Sequence, residues 1–358
     1  DAVVSRGLGD VYKRQELLES WEDCVWLEFD CEFWGGTSLF GEEGCVELPF
    51  PPPPQLANAI AKKQIVIICL KFFMYDVNKK SSMKVGIDFG ISFTDLSILD
   101  ESKAKFISFD SKRLSVSNIS KQIHKLINFD DVEFIGVTGG KHYDLPSKIG
   151  GIELSHVNEI DAISKGTNYL AKNDKKKLII SSGSGTAFVL SDGNMISHAG
   201  GTGVGGGTIV GLCNLINDEN NPDVINKLAN RGKVEKVDLL LNEVVSGPIG
   251  ELPKDATAVN FGKVRYKNKS TKADKTAAIM NLVGQTVARM ASATAVAFNC
   301  ENVYVVGRTP QYDLYKSVLK RWISFAGLTA DFPNNGEFAS SLGTVSYTHL
   351  RAHETQQH

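Results

Sequence analysis

The chain has 358 residues and is nearly charge-balanced, with 39 Lys+Arg against 41 Asp+Glu and a formal net charge of -2. That balance argues against a nucleic-acid binder held by a basic surface, and a content of 42% hydrophobic and 22% charged residues excludes a disordered chain. The longest apolar run, residues 65–70 with 72–75 after Lys71, is too short to cross a bilayer, so no membrane partner is expected.

The two ends differ in texture from the middle. Four of the six cysteines (Cys24, Cys31, Cys45, Cys69), three of the four tryptophans and five of the eleven prolines lie before Met83. No strand or helix period runs through residues 1–60. The stretch 4–15 and the tail 346–355 read like translated adapter DNA and are set aside. Residues 1–82 are therefore expected to be a translated artefact or non-domain extension, and 346–358 an adapter-derived scar. Between them, 83–175 and 176–345 are expected to be two domains. Cys213 and Cys300, the cysteines of this middle region, have no CxxC partner, so no disulfide framework or zinc site is legible and a cytoplasmic protein is expected.

In chain order, residues 85–87 and 96–99 are short apolar runs joined by a glycine-containing polar turn, a hairpin. Residues 104–109 read as a third strand. Ile119, Ile123, Leu126 and Ile127 have helical spacing after Ser117-Asn118. Residues 132–137 form a buried-type strand ending in Thr138-Gly139-Gly140, and Ile160, Ile163 and Leu170 mark a helix. The pattern then restarts: strand 178–182, the turn Gly183-Ser184-Gly185, strand 186–190, the turn 191–194 and strand 195–199. A glycine loop, 200–207, leads into a helix from Thr208. A long apolar helix over 275–298, a strand 303–306 ending at Gly307 and a helix 312–322 follow. The repeated β-β-β-α-β-α order, opened each time by a glycine hairpin, predicts an α/β protein of two like domains around a cleft.

Glycine turns let backbone N–H groups approach phosphate oxygens, because no Cβ intervenes. Two such hairpins in equivalent positions, with a third glycine cluster opening a helix whose N–H groups are free, point to a nucleotide phosphate site. None is a P-loop or a GxGxxG turn after a single strand. Asp88 ends a strand at the first turn, where an acid beside phosphates implies Mg²⁺. Glu159, at a helix start, is placed to deprotonate a hydroxyl, although a first-turn Glu is also routine capping chemistry.

Val85-Gly86-Ile87-Asp88-Phe89-Gly90 resembles the first phosphate motif of the acetate and sugar kinase, heat-shock ATPase and actin superfamily. Within it the motif order is similar to that of type II pantothenate kinases. The segments that carry this are Thr138-Gly139-Gly140, Glu159-Ile160-Asp161-Ala162, Gly183-Ser184-Gly185-Thr186, the run from Gly200 to Thr208, and 256–262 (Ala-Thr-Ala-Val-Asn-Phe-Gly). Val305-Val306-Gly307 and Asn335-Gly336 with Phe338 extend the resemblance to about residue 344. It implies two ribonuclease-H-like domains around an ATP cleft, the actin-like ATPase fold, and ATP-dependent phosphorylation of the primary hydroxyl of pantothenate, the first step toward coenzyme A.

By motif position, Glu159 would be the general base and Asp88 would serve Mg²⁺ or the phosphates. Gly90, Gly183, Ser184, Gly185 and Thr186 would line the phosphates, with Ser184 also near pantothenate. Gly205, Gly206 and Gly207 would hold the nucleotide side, and Gly307 would approach the adenosine. A homodimer through the long helix is implied. Three departures stand out. Ile91 replaces a glycine frequent in the first turn, and His198 stands where an Arg usually grips pantothenate. The chain also leaves the pattern soon after Gly343, so a closing strand or helix is expected to be missing. The alternatives are an amino-sugar kinase, a dehydratase activator, which would need cluster-bridging cysteines, or a nucleotide-binding regulator. Because residues 1–82 contribute no motif, their deletion is expected to leave the melting temperature and ATP affinity intact; a large loss of either would make them part of the fold.

Overall fold

In the computed structural model the described residues run from 83 to 354, except 101–102, 112–120, 122, 124, 126–127, 141, 194, 248–249 and 266–268. Most of the helix expected from Ile119 to Ile127 lies outside the described residues; Ile123 is described, and it is helical and buried.

Two sheets share one topology. Strands β1 (Met83–Phe89), β2 (Phe93–Asp100) and β3 (Lys103–Asp110) form an antiparallel meander, and β4 (Val132–Gly139) pairs in parallel with β1. Two further strands, β5 (Lys148–Ile149) and β6 (Ile152–His156), complete the order β3-β2-β1-β4-β6-β5. The expected order lacks β5 and β6, which are only two and five residues long. In the second sheet, β7 (Lys177–Ser182), β8 (Thr186–Asp192) and β9 (Met195–Thr202) form the meander, joined in parallel by β12 (Asn302–Val306) and β13 (Thr329–Asp331). Read from β9, its order β9-β8-β7-β12-β13 repeats β3-β2-β1-β4-β6. A small ribbon, β10 (Leu239–Leu240) with β11 (Thr257–Val259), stands apart.

The helices follow their caps. Helix α1 (Glu159–Ala171) starts where Asn158 Oδ1 accepts the Ile160 N–H at 2.9 Å and ends at Lys172, whose φ is 54°. α2 spans Gly206–Asn217 and α3 Pro222–Arg231. α4 (Lys272–Ala297) is capped by Thr271 and Asp274 and buries Ile279, Met280, Val283, Val287 and Ala291 against the second sheet and α5 (Asp313–Phe325). Gly284 lets these two helices close, since a Cβ there would stand 2.8 Å from Val318 Cγ1.

α6 (Ala339–Glu354) follows β13, runs into the segment 346–358 expected to be a scar, and returns to the first sheet. Gly86, Asp88, Gly136 and Thr138 share one face of that sheet by strand alternation and the β1–β4 register. Small residues make room for α6 on it. Thr344 Oγ1 donates to Gly136 O at 3.2 Å, and the Ser97 and Ser341 hydroxyls are 2.7 Å apart. α6 also meets α1 almost backbone to backbone. A Cβ on Gly166 would stand 1.7 Å from Ala339 O, and one on Gly343 1.8 Å from Ala162 O. Ile163 of α1 and Ala339 of α6 reach a core with Ile179, Val189 and Val306, so both helices lie against the second sheet as well.

Gly166→Ala and Gly343→Ala test that crossing. In an open helix each change would stabilise by about 1 kcal/mol, but here the new methyl meets backbone that cannot yield. Net destabilisation of about 1–3 kcal/mol is expected, read as a lower urea midpoint at unchanged slope. Wild-type or higher midpoints would show that the two helices are free to separate.

Candidate active site

The two hairpin turns face each other. The β1–β2 turn, residues 90–92, brings Ser92 Oγ within 3.1 Å of Ser184 Oγ in the β7–β8 turn. The second turn is closed by Gly183 N–H donating to Gly185 O at 2.9 Å. Around it the chain packs closely: Gly206 N–H donates to Gly183 O at 2.8 Å, Gly207 N–H to Ser184 O at 2.9 Å, and Thr309 Oγ1 to Gly183 O at 2.8 Å. Any Cβ on Gly205 would sit 2.8 Å from Ser184 O, so only glycine lets α2 approach the turn. Gly307, at φ 93°, would carry a Cβ 2.4 Å from Ser182 O. By contrast, nothing lies within 4 Å of a Cβ placed on Gly140 or Gly203, so the backbone at both faces open space.

Asp88 stands at the end of β1, between Asp95 on β2 and Thr138 on β4 in strand register. Its carboxyl is pushed up to about 7, first by burial, then by the negative charges of Asp95 and Glu159, while the Ser340 hydroxyl at the start of α6 pulls it back. The Thr138 Oγ1 beside it is buried without a hydrogen-bond partner. A half-buried carboxyl crowded by two others is a place where a divalent cation is favoured. Among the described residues no three His, Cys, Asp or Glu side chains are grouped to hold a metal unaided; a magnesium ion held with phosphates needs only one or two carboxylates. Glu159 itself is exposed at the first position of α1, near enough to perturb Asp88.

One constellation is absent from the sequence-based expectations. Arg308, just after Gly307, donates from Nη2 to Asp95 Oδ1 at 2.5 Å and to Ser108 Oγ at 2.6 Å. Its guanidinium carbon lies 4.3 Å from the centre of the Phe93 ring. Ser108 also hydrogen-bonds Asp95. Burial pushes the Asp95 carboxyl up from its ordinary range, and Arg308 pulls it down. The signal was available, because an acid inside a buried strand such as β2 requires a partner. Nothing in the sequence says which cation supplies it.

The structure therefore joins Asp88, Gly90, Gly183, Ser184, Gly185, Gly205, Gly206, Gly207 and Gly307 around the two turns, with Glu159 beside Asp88. Two expectations change. The N–H groups of Gly206 and Gly207 are not free donors at a helix start; they are spent on Gly183 and Ser184. Thr186 likewise commits its hydroxyl to Val204 O at 2.9 Å. The glycine loop is also shorter than expected, since residues 200–202 belong to β9. His198 sits exposed on β9, opposite Val189. The 256–262 segment is fixed locally by the buried Asp238, which accepts from Phe261 N–H at 2.8 Å and Asn281 Nδ2 at 2.9 Å. Cys213 and Cys300 are both buried and free, which leaves no cluster-bridging cysteine among the described residues.

Two like sheets, each opened by a hairpin and joined by crossing helices, define the actin-like ATPase and sugar-kinase fold. Solved structures share it. They include component A of the (R)-2-hydroxyglutaryl-CoA dehydratase from Acidaminococcus fermentans (TM-score 0.51, 16% identity, 76% of this chain and 100% of that one). The activator of the 2-hydroxyisocaproyl-CoA dehydratase from Clostridium difficile is similar (TM-score 0.50, 16% identity, 77% and 97%). At that identity the likeness is one of fold. Within the fold, residues 176–311 match the Fumble family model. The chain is 29% identical over 270 residues to the type II pantothenate kinase of Staphylococcus haemolyticus, covering 74% of this chain and 99% of that protein. To that of Oceanobacillus iheyensis it is 25% identical over 268 residues, covering 73% and 98%. The chain is thus similar to the type II pantothenate kinases, as its motif order led us to expect.

The Asp88 environment has a pH signature. A carboxyl at about 7 in the folded protein and about 4 when unfolded holds its proton more tightly when folded. Its contribution to stability therefore falls as pH rises through that window. Asp88→Asn, which cannot ionise, is expected to melt above wild type at pH 8 without nucleotide or divalent cations, the gap closing toward pH 4. Calorimetry across that range checks it; a pH-independent gap would contradict the assignment.

Proposed function

We propose that the protein is an ATP-dependent kinase acting on the primary hydroxyl of pantothenate, the first step of coenzyme A biosynthesis. The observation that carries this reading is the placement of Glu159 beside Asp88 and the paired glycine turns, in a chain that spans nearly the whole length of type II pantothenate kinases. ATP would supply the phosphoryl group, and Mg²⁺, which Asp88 would hold, would offset the charge of the phosphates.

The chain's own residues divide the remaining work. Asp88 would hold the cation. The backbone of the hairpin turns, at Gly90 and at Gly183, Ser184 and Gly185, would approach the phosphates. Gly205 to Gly207 would act through packing, by seating α2 against the turn, and the backbone at Gly307, itself seated against Ser182, would approach the adenosine. Glu159, exposed at the α1 start, would accept the hydroxyl proton, while Ser184 and His198 would face the acceptor. Burial and the charges of Asp95 and Glu159 favour a proton on Asp88, and the exposed Glu159 is left to face the acceptor.

Residues 83–175 and 176–345 would serve as the two lobes, with α6 crossing back to the first. Among the described residues no helix is long and apolar enough to span a membrane; we place the enzyme in the cytoplasm and, through α4, in a homodimer.

The test is a coupled assay with pantothenate, N-acetylglucosamine or no acceptor. Turnover only with pantothenate is expected; turnover with the amino sugar, or with none, would replace the reading by a sugar kinase or a bare ATPase. Within it, Glu159→Gln keeps the side-chain shape but cannot accept the proton. kcat is expected to fall ~10²–10⁴-fold with ATP affinity unchanged, and an equal kcat would remove Glu159 from the chemistry.

A further inference from the structure

We propose that Arg308 is a positioning residue, whose ion pair with Asp95 and hydrogen bond to Ser108 hold the two hairpin turns in register across the cleft. The proposal rests on the kinase reading for its catalytic consequence, but its geometry stands apart from it. The loop carrying Arg308 is fixed to the second sheet on both sides of that residue. Gly307 presses against Ser182 O, and Thr309 Oγ1 donates to Gly183 O at 2.8 Å. From this anchored loop Arg308 reaches the first sheet, contacting Asp95 and Phe93 on β2 and Ser108 on β3.

Asp95 is the strand partner of Asp88, and Phe93 follows Ser92, whose hydroxyl meets Ser184. One guanidinium therefore ties the strand beside the candidate cation ligand to the loop that holds the opposite turn. A pair of this kind is weak evidence for stability, because desolvation offsets most of its attraction. Geometry is what it supplies: five fixed donors in a plane, two contacts from one nitrogen, and a ring beneath. A displacement of about 1 Å between reacting groups can cost ~10²-fold in rate, so a tie across the cleft acts on kcat more than on folding.

The experiment is a double-mutant cycle with Arg308→Met, Asp95→Asn and both together, and Arg308→Lys as the conservative variant. For each, kcat and KM for ATP and pantothenate, melting temperature, and hydrogen exchange of the 93–110 and 182–187 segments without ligand are measured. Each single change is expected to lower kcat by about tenfold or more, with KM for ATP within about threefold, and the double to be no worse than the poorer single, because interacting residues are non-additive. Arg308→Lys is expected to fall between. Both segments are expected to exchange faster in either single variant.

A loss in Arg308→Met that Asp95→Asn does not share would mean that Arg308 grips the phosphates directly and would overturn the proposal. Multiplying losses in the double variant, or unchanged kcat in folded variants with only the melting temperature lowered, would overturn it too. If Arg308→Met does not fold, Arg308→Lys and Asp95→Asn carry the same comparison. If wild type phosphorylates no acceptor, the kinase reading fails, and unchanged exchange would separately remove the tie.

Discussion

Two carbonyl groups, those of Gly183 and Ser184, hold the cleft together. They accept the first N–H groups of α2 and the Thr309 hydroxyl, so a helix start and the loop after β12 both converge on a single hairpin turn. Three glycines in succession are needed because each would otherwise place a methyl group 2.7–3.0 Å from the turn or from Thr309. The glycine run therefore shapes the cleft by close packing. Its helix-terminal N–H groups are consumed in doing so, which leaves Gly140 and Gly203 as the glycines there whose backbone faces open space.

From that turn the chemistry extends along strands. β1 delivers Asp88, β2 delivers Asp95 in register with it, and α1 and α6 bring Glu159 and Ser340 to the same place. A carboxyl surrounded in this way is protonated more readily than a free one and is well suited to a cation that arrives with its substrate. Charge is thus kept poorly compensated on one side of the cleft, while Arg308 compensates it one residue pair away.

Much of this was legible in the sequence. Hairpins bounded by glycine, and the short apolar runs of β1, β2, β7 and β8, showed the duplicated topology, because apolar runs and turn chemistry are local properties. The long helix was legible from its apolar run. Strands β5, β6 and β13 were not, since two to five residues carry too little period. α6 was not, because Ser, Gly and Thr interrupt its buried Leu342 and Val345 and because its second half lies in the segment expected to be a scar. Of the site, Asp88, Glu159 and the turns could be read from motif positions. Arg308 could not, because its partner lies 213 residues away and only the folded chain brings them together.

The return of α6 has a consequence for how the protein is made. The face of the first sheet carrying Gly86 and Gly136 is covered by a helix whose Thr344 lies 208 residues after Gly136, and Ser341 follows Ser97 by 244. On a ribosome, β1 to β4 emerge first and wait, one side bare, while the entire second sheet is synthesised. That face carries Gly86, Asp88, Ser97, Gly136 and Thr138, so the waiting intermediate presents backbone, hydroxyls and a carboxyl to water there instead of a greasy plane. The same small side chains that admit α6 so closely also make its late arrival tolerable, at a stage when an apolar sheet face would invite association with neighbouring nascent chains.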